Sequence, residues 1–364
     1  MGNIIGSRFT DYIDVTKWQQ LIDHFVEYSD LLESSIHEAI EKESRRVKER
    51  RKYFEKRFDI KNVTRKQLSD AEILLINSKV VGVDGTFAEY QVSSYGIYAR
   101  IGIVATTYNQ KKAEIVEQDF FDRFIPYDVS NVSVEEELNI LRDLVKKDGI
   151  LKRTHIEGIM LYKEREMALR RSEKWKLVQG EIFPYGLRMG LGYLRALQPT
   201  LELMREIFQA KNVIAVQGTT KDDPVYAKLR AALRDSEYVR IQTYDNDLLD
   251  FLKAAHFTDV SGDEKALSSF IVEFASQYIK GMYKVQNRAY TFYAHKDVFD
   301  DAAGIIIRDS MFRPMRGFPL LLDYADIICS KLVSASDFKR QVEYKLAKFG
   351  ALEENKDEHD LRQR

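Results

Sequence analysis

The chain has 364 residues, with 56 Lys and Arg against 57 Asp and Glu and a formal net charge of −1. That balance excludes a uniformly basic nucleic-acid coat, so any anion binding has to be local. With 45% hydrophobic and 31% charged residues, no apolar run of the roughly 18–20 residues a spanning helix needs, no basic-then-apolar secretory pattern or fitting myristoylation spacing at MGNIIGSRFTDYID, and a single cysteine, Cys329, the expectation is a globular protein of the reducing cytoplasm without a disulfide framework or a multi-cysteine zinc site.

Residues 1 to about 75 read as helical, since Trp18, Leu21, Ile22, Phe25, Leu32 and Ile36 recur at helical spacing. Within this region the run at 41–57 holds nine basic and four acidic residues. Such a run is a solvated helix face or a long arm, or else a contact for nucleic acid or a partner. The texture changes near residue 78. The segments 79–92, 95–110 and 113–121 are rich in β-branched and aromatic residues and separated by turn residues, which predicts an antiparallel meander. Helical patterns follow at 134–147 and 155–171. A short strand is expected at 176–183, a helix at about 186–210 and a strand at 212–218. This alternation implies parallel pairing. Near the end, 288–295 and 303–312 read as strands. Pro319 opens a helix over 319–333, and the last dozen residues read as frayed. Three antiparallel strands continued by α/β units form the arrangement expected of an RNase H-like core, here with an N-terminal helical arm and a C-terminal α/β extension.

Several chemistries are excluded by what is missing. There is no GxxxxGK[ST] loop, no GxGxxG after a strand, no GxSxG elbow and no HExxH. The six histidines (His24, His37, His155, His256, His295 and His359) are scattered, and none pairs at ligand spacing. Cys329 lies in an apolar helix and reads as an inert packed thiol.

Carboxylates in apolar settings remain. Asp84 ends the run Val80-Val81-Gly82-Val83 and precedes Gly85. An acid in an apolar strand is costly unless it is paired or metal-bound, although a turn at Asp-Gly reads equally well. Glu164 has Met160, Leu161, Met167 and Ala168 as helical neighbours and so faces the apolar side. Pairing with a core arginine is the structural alternative. Asp326 shares a helical face with Asp323, which suits either solvation or a metal ligand with its support. Glu181 is a further candidate at a strand end. Such carboxylates, drawn from separate elements, suit hard divalent cations, and two ions about 3.5–4 Å apart can serve both oxygens of an in-line displacement at phosphorus.

The run Val81-Gly82-Val83-Asp84-Gly85-Thr86, the acidic helix at 155–171, the turn Val178-Gln179-Gly180-Glu181 and the segment Arg316-Gly317-Phe318-Pro319-Leu320 together resemble the NurA nuclease family, in order, from about residue 78 to about residue 335. The resemblance implies an RNase H-like nuclease fold that cleaves DNA with manganese or magnesium, exonucleolytically on ends and endonucleolytically on single strands. It also implies a homodimer working with a hexameric HerA-type translocase in DNA end processing, repair or defence. Asp84 matches the family's first metal-binding Asp, and Glu164 its helical Glu, with Glu166 as the fallback. Two positions depart from the pattern. The family's strand-end Asp falls on Gln179, for which Glu181 is the expected substitute because residues two apart in a strand share a face. The family's Tyr and His fall on Phe318 and Asp326. Asp84, Glu164 and Asp326 are thus the expected metal ligands, with Glu181 assisting. The expected division is a helical arm at 1–77 for dimerisation or partner contact, a nuclease domain at 78–335, and a C-terminal helix with its tail at 336–364. The alternative is an adaptor that keeps the fold, docks on a translocase and does not cleave DNA.

Overall fold

The computed structural model describes residues 36–37, 39, 42, 45–92, 96–126, 149–190, 197–218, 224–254 and 261–348. The helix expected at 134–147, most of the helical region before residue 36 and the tail beyond residue 348 lie outside the described residues.

Contacts divide the chain into two compact units, one of residues 1–57 with Val225–Ala232 and one of all the rest. In the smaller unit, helix α1 (45–57) carries the charged run. There Arg51 Nε donates to Glu55 one turn on (2.6 Å), and Arg51 Nη1 donates to the Ala232 carbonyl (3.1 Å).

In the larger unit, β1 (Ile60–Asn62) leads into α2 (Arg65–Ile76). Thr64 caps this helix reciprocally: Gln67 N donates to its Oγ1 (3.2 Å), and Thr64 N donates to Gln67 Oε1 (2.9 Å). Then come β2 (Val80–Val92), β3 (Gly96–Asn109), β4 (Lys112–Pro126), α3 (Gly149–Arg170), β5 (Trp175–Gln179), α4 (Tyr185–Arg188), α5 (Leu197–Ala210) and β6 (Val213–Gln217). After α6 (Pro224–Ala232), whose residues 225–232 belong to the smaller unit, follow β7 (Glu237–Thr243), α7 (Tyr244–Ala254), α8 (Ser261–Phe274), β8 (Tyr278–Val285), β9 (Arg288–His295), α9 (Phe299–Met311), α10 (Leu320–Val333) and α11 (Ala335–Lys348).

The strands form one sheet of order β1-β7-β8-β9-β6-β5-β2-β3-β4. β2, β3 and β4 are the expected antiparallel meander, and β2–β5 and β5–β6 pair in parallel. Three antiparallel strands continued through α3 into parallel β5 and β6 make the RNase H-like arrangement. Beyond β6 the sheet turns antiparallel again through β9, β8, β7 and β1.

The structure corrects three expectations about elements. Residues 303–312 are not a strand; most of them lie in helix α9. Ile305, Ile306 and Ile307 are all buried because α9 packs between α2, α10 and the sheet, so its apolar residues recur on every side and mask the helical period. Residues 60–62, within the stretch expected to be helical, form strand β1 paired with β7, and α2 packs on α9. The helix expected at 186–210 is described as two, α4 and α5.

Alternation along the central strands splits the core between the two faces of the sheet. Val81, Val83, Val178 and Ala215 pack with Leu161 and Met167 of α3 and with residues of α5, α7 and α8. Val80, Leu177, Ile214 and Val216 pack with Leu75 of α2, Ile306 of α9 and Leu321 of α10. Central strands buried on both faces read as continuous apolar runs, as VVGV of β2 and VIAV of β6 do. Among the described residues, no helix is long and apolar enough to cross a membrane.

Candidate active site

Asp84 lies inside β2, which runs unbroken from Val80 to Val92, so Asp84-Gly85 is not a turn. The parallel pairing with β5 stops at Val83–Val178, one residue before Asp84. There β5 ends at Gln179, and Gly180, at φ +87°, turns the chain away. The sheet therefore opens beside Asp84, and helices from both faces reach it.

α3 reaches it with Glu164. Gly85 makes this approach possible, since a Cβ there would stand 2.8 Å from Glu164 Oε1 and 2.7 Å from Ile103 Cδ1. α10 reaches it with Asp326, and a second glycine seats that helix: a Cβ on Gly82 would lie 2.8 Å from Leu321 Cβ. The Thr106 hydroxyl donates to the Leu321 carbonyl (2.8 Å), and the Cys329 thiol donates to the Asp84 carbonyl (3.3 Å), both fixing α10 against the meander. Cys329 is thus a packed thiol, its pKa pushed well up by burial.

Asp84 is 2% exposed and Glu164 is fully buried, while Asp326 is half-buried. Burial pushes the Asp84 carboxyl well above the usual range, and the neighbouring Glu164 and Asp326 carboxylates push it further. The Gly85 amide and Arg165 pull it back. Burial likewise raises Glu164, against the pull of Arg165 and of the same Gly85 amide. Asp84 Oδ2 is buried and has no hydrogen-bond partner among the described residues.

Arg165, which sequence reasoning missed, completes the centre. It is fully buried. Its Nη1 donates to Glu164 Oε2, and its Nη2 donates to the carbonyls of Gln179 (3.0 Å) and Glu181 (2.7 Å). One guanidinium thus ties the helical acid to the end of β5. Its helical neighbours Leu161, Tyr162, Ala168 and Leu169 are apolar, and that pattern was the available signal.

The carboxylates of the other candidates have partners of their own. The Glu181 carboxylate accepts from Arg188 and from Tyr244 Oη (3.3 Å). The reason is local: the left-handed Gly180 breaks the strand alternation on which its expected assisting role rested. Asp323 is held by Arg316 Nε (2.7 Å) and Arg313 Nη1 (3.4 Å). Glu166 pairs with Lys163 at 2.7 Å. Glu157, not singled out in the sequence, adds negative charge on the Glu164 face of α3.

No family model and no curated protein sequence matches the chain. Solved structures do. The chain is similar to a NurA nuclease. That structure, from Sulfolobus solfataricus, is 13% identical, with a TM-score of 0.46, over 76% of this chain and 86% of that one. An endonuclease V from Bacillus subtilis is 11% identical, with a TM-score of 0.35, over 80% and 91%. Human ENDOV is 13% identical, with a TM-score of 0.30, over 75% and 97%.

Among the described residues, no three His, Cys, Asp or Glu side chains stand close enough to form a ready metal shell. The donor chemistry nevertheless fits a hard divalent ion. The donors are all oxygen, two of the acids are buried, and Asp84 Oδ2 has no hydrogen-bond donor of its own. Asp84 and Glu164 would hold the ion from inside and Asp326 from the solvent side.

Proposed function

We propose that the protein is a divalent-metal-dependent nuclease that hydrolyses DNA phosphodiesters, with Asp84, Glu164 and Asp326 as its metal-holding acids. The observation that carries this reading is the orphaned, buried Asp84 Oδ2 beside buried Glu164. A buried acceptor without a donor costs folding free energy and persists where a ligand supplies the missing partner. Mn²⁺ or Mg²⁺ would supply Lewis acidity and an activated water at neutral pH. The chain's own residues do the rest. Arg165 fixes the Glu164 carboxylate, the Gly85 amide restrains both inner acids, and Cys329 and Thr106 hold α10 so that Asp326 stays at the entrance.

The sequence resemblance extends this reading to DNA ends and single strands as substrates, to a homodimer, to a HerA-type translocase as partner in end processing, repair or defence, and to the cytoplasm as the compartment. The rival reading, an adaptor that binds a translocase and does not cut, draws on Arg165. Glu164 already has a cation on one oxygen, and Gln179 offers Arg165 only its carbonyl.

Linear and single-stranded DNA incubated with Mn²⁺ and the wild type or Asp84→Ala separates the two. The expected result is cleavage that EDTA abolishes and that Asp84→Ala lowers by roughly 10³-fold, since several kcal/mol of charge stabilisation are lost. Equal activity in both proteins overturns the nuclease. Site-specific Mn²⁺ binding by calorimetry, lost in Asp84→Ala, overturns the adaptor.

A further inference from the structure

The loop between α9 and α10 presents a feature the carboxylate centre does not use. Met315 is 83% exposed, the most exposed large apolar side chain among the described residues. On either side of it, Arg313 and Arg316 have side chains 52% and 54% exposed. Both guanidiniums lean on one carboxylate, Asp323, which is 3% exposed. Arg316 satisfies it through Nε at 2.7 Å, whereas Arg313 reaches it at 3.4 Å through one nitrogen. One buried acid therefore meets two cations, and most of their N–H groups face outward.

The backbone of this loop is held rigid. The Tyr290 hydroxyl donates to the Arg316 carbonyl (2.6 Å) and the Tyr283 hydroxyl donates to the Gly317 carbonyl (3.2 Å). Gly317 sits at φ +65°, a conformation glycine adopts freely. The loop leads directly into α10, and Arg316 lies within electrostatic range of Asp326 at the entrance of the centre.

We propose that Arg313, Met315 and Arg316 form a docking subsite for a single nucleic-acid strand, with the two guanidiniums on consecutive phosphates and Met315 against the face of an unpaired base. Planar, outward-facing guanidinium groups on an anchored backbone match phosphate oxygens. A flexible thioether covers any base face without choosing a sequence. The surplus positive charge next to an acid-rich centre supplies the local attraction that a chain of net charge −1 lacks overall. For its orientation toward a scissile bond the proposal rests on the nuclease reading; for strand binding it does not.

The test is anisotropy of a labelled oligothymidylate in EDTA with the full chain, followed against salt. The proteins are wild type, Arg313→Ala, Arg313→Lys and Met315→Ala, each checked for folding by circular dichroism. Arg313 and Met315 are chosen because Arg316→Ala would strand buried Asp323. Arg313→Ala is expected to lower the slope of log affinity against log salt by about 0.7, the value for one phosphate on a single strand, and Arg313→Lys to retain that slope. Met315→Ala is expected to weaken binding about threefold at all salt concentrations. Folded Arg313→Ala and Met315→Ala proteins that bind with wild-type affinity and slope overturn the subsite. Loss of binding in Arg313→Ala alongside DNA cleavage indifferent to Asp84→Ala keeps the subsite and removes the nuclease.

Discussion

Two sets of buried acids on this chain behave in opposite ways. Asp309, in α9, receives Tyr108 Oη at 2.6 Å and the Leu321 amide at 3.1 Å. Asp323 receives two arginines. Each of these acids joins elements and is answered by donors on its neighbours. Beside the end of β5 the pattern differs: Asp84 Oδ2 has no hydrogen-bond partner among the described residues, and Arg165 stands against Asp84, Glu164 and Asp326. Burial alone therefore does not mark a functional acid. Burial without a hydrogen-bond partner is what sets Asp84 apart from the other two.

The contrast can be broken most forcefully at Arg165. Arg165→Ala leaves Glu164 buried and uncompensated, and we expect about 3–5 kcal/mol of destabilisation in urea titrations. A loss below about 1 kcal/mol would mean that Glu164 is not held by charge pairing.

Asp309 sharpens the contrast through pH. Burial raises its carboxyl to about 7 in the folded chain, from an ordinary value of 3.8. The folded state therefore holds this proton more tightly than the unfolded state does. Its stabilising contribution is complete below about pH 3.8 and is lost as pH rises toward 7, by up to about 1.4 kcal/mol per pH unit. Asp309→Asn should flatten the stability profile between about pH 4 and 7, and an unchanged profile would place the titrating group elsewhere.

The smallest effect carries the opposite sign. Asp84→Asn removes an underpartnered buried acid, so thermal unfolding should show a gain of about 1 kcal/mol while Mn²⁺ binding is lost. A destabilised, metal-binding Asp84→Asn protein would put Asp84 in the same class as Asp309.

Much of the meander was legible because strands buried on both faces leave continuous apolar runs, and Asp84 stood out against one of them. Glu164 was legible from its apolar helical neighbours. The same rule applied one residue further would have found Arg165, whose helical neighbours are equally apolar. Helix α9 was misread because burial on all sides erases periodicity. β7 and β8 were not singled out, and they become evident only through pairing with partners distant in sequence. Glu181 was placed by strand alternation that the left-handed Gly180 ends, although the sequence had marked a turn there.

The three acids of the centre are far apart along the chain. β2, β3 and β4 pair through neighbours in sequence and can close soon after they are made. The acids that complete the opening arrive on α3 and, last, on α10, so Asp84 waits for Asp326 across most of the chain. During synthesis Asp84 is made long before Glu164 and Asp326, and a fragment that ends before α10 lacks Asp326. Any chemistry the centre performs therefore requires α10 to be seated against Gly82.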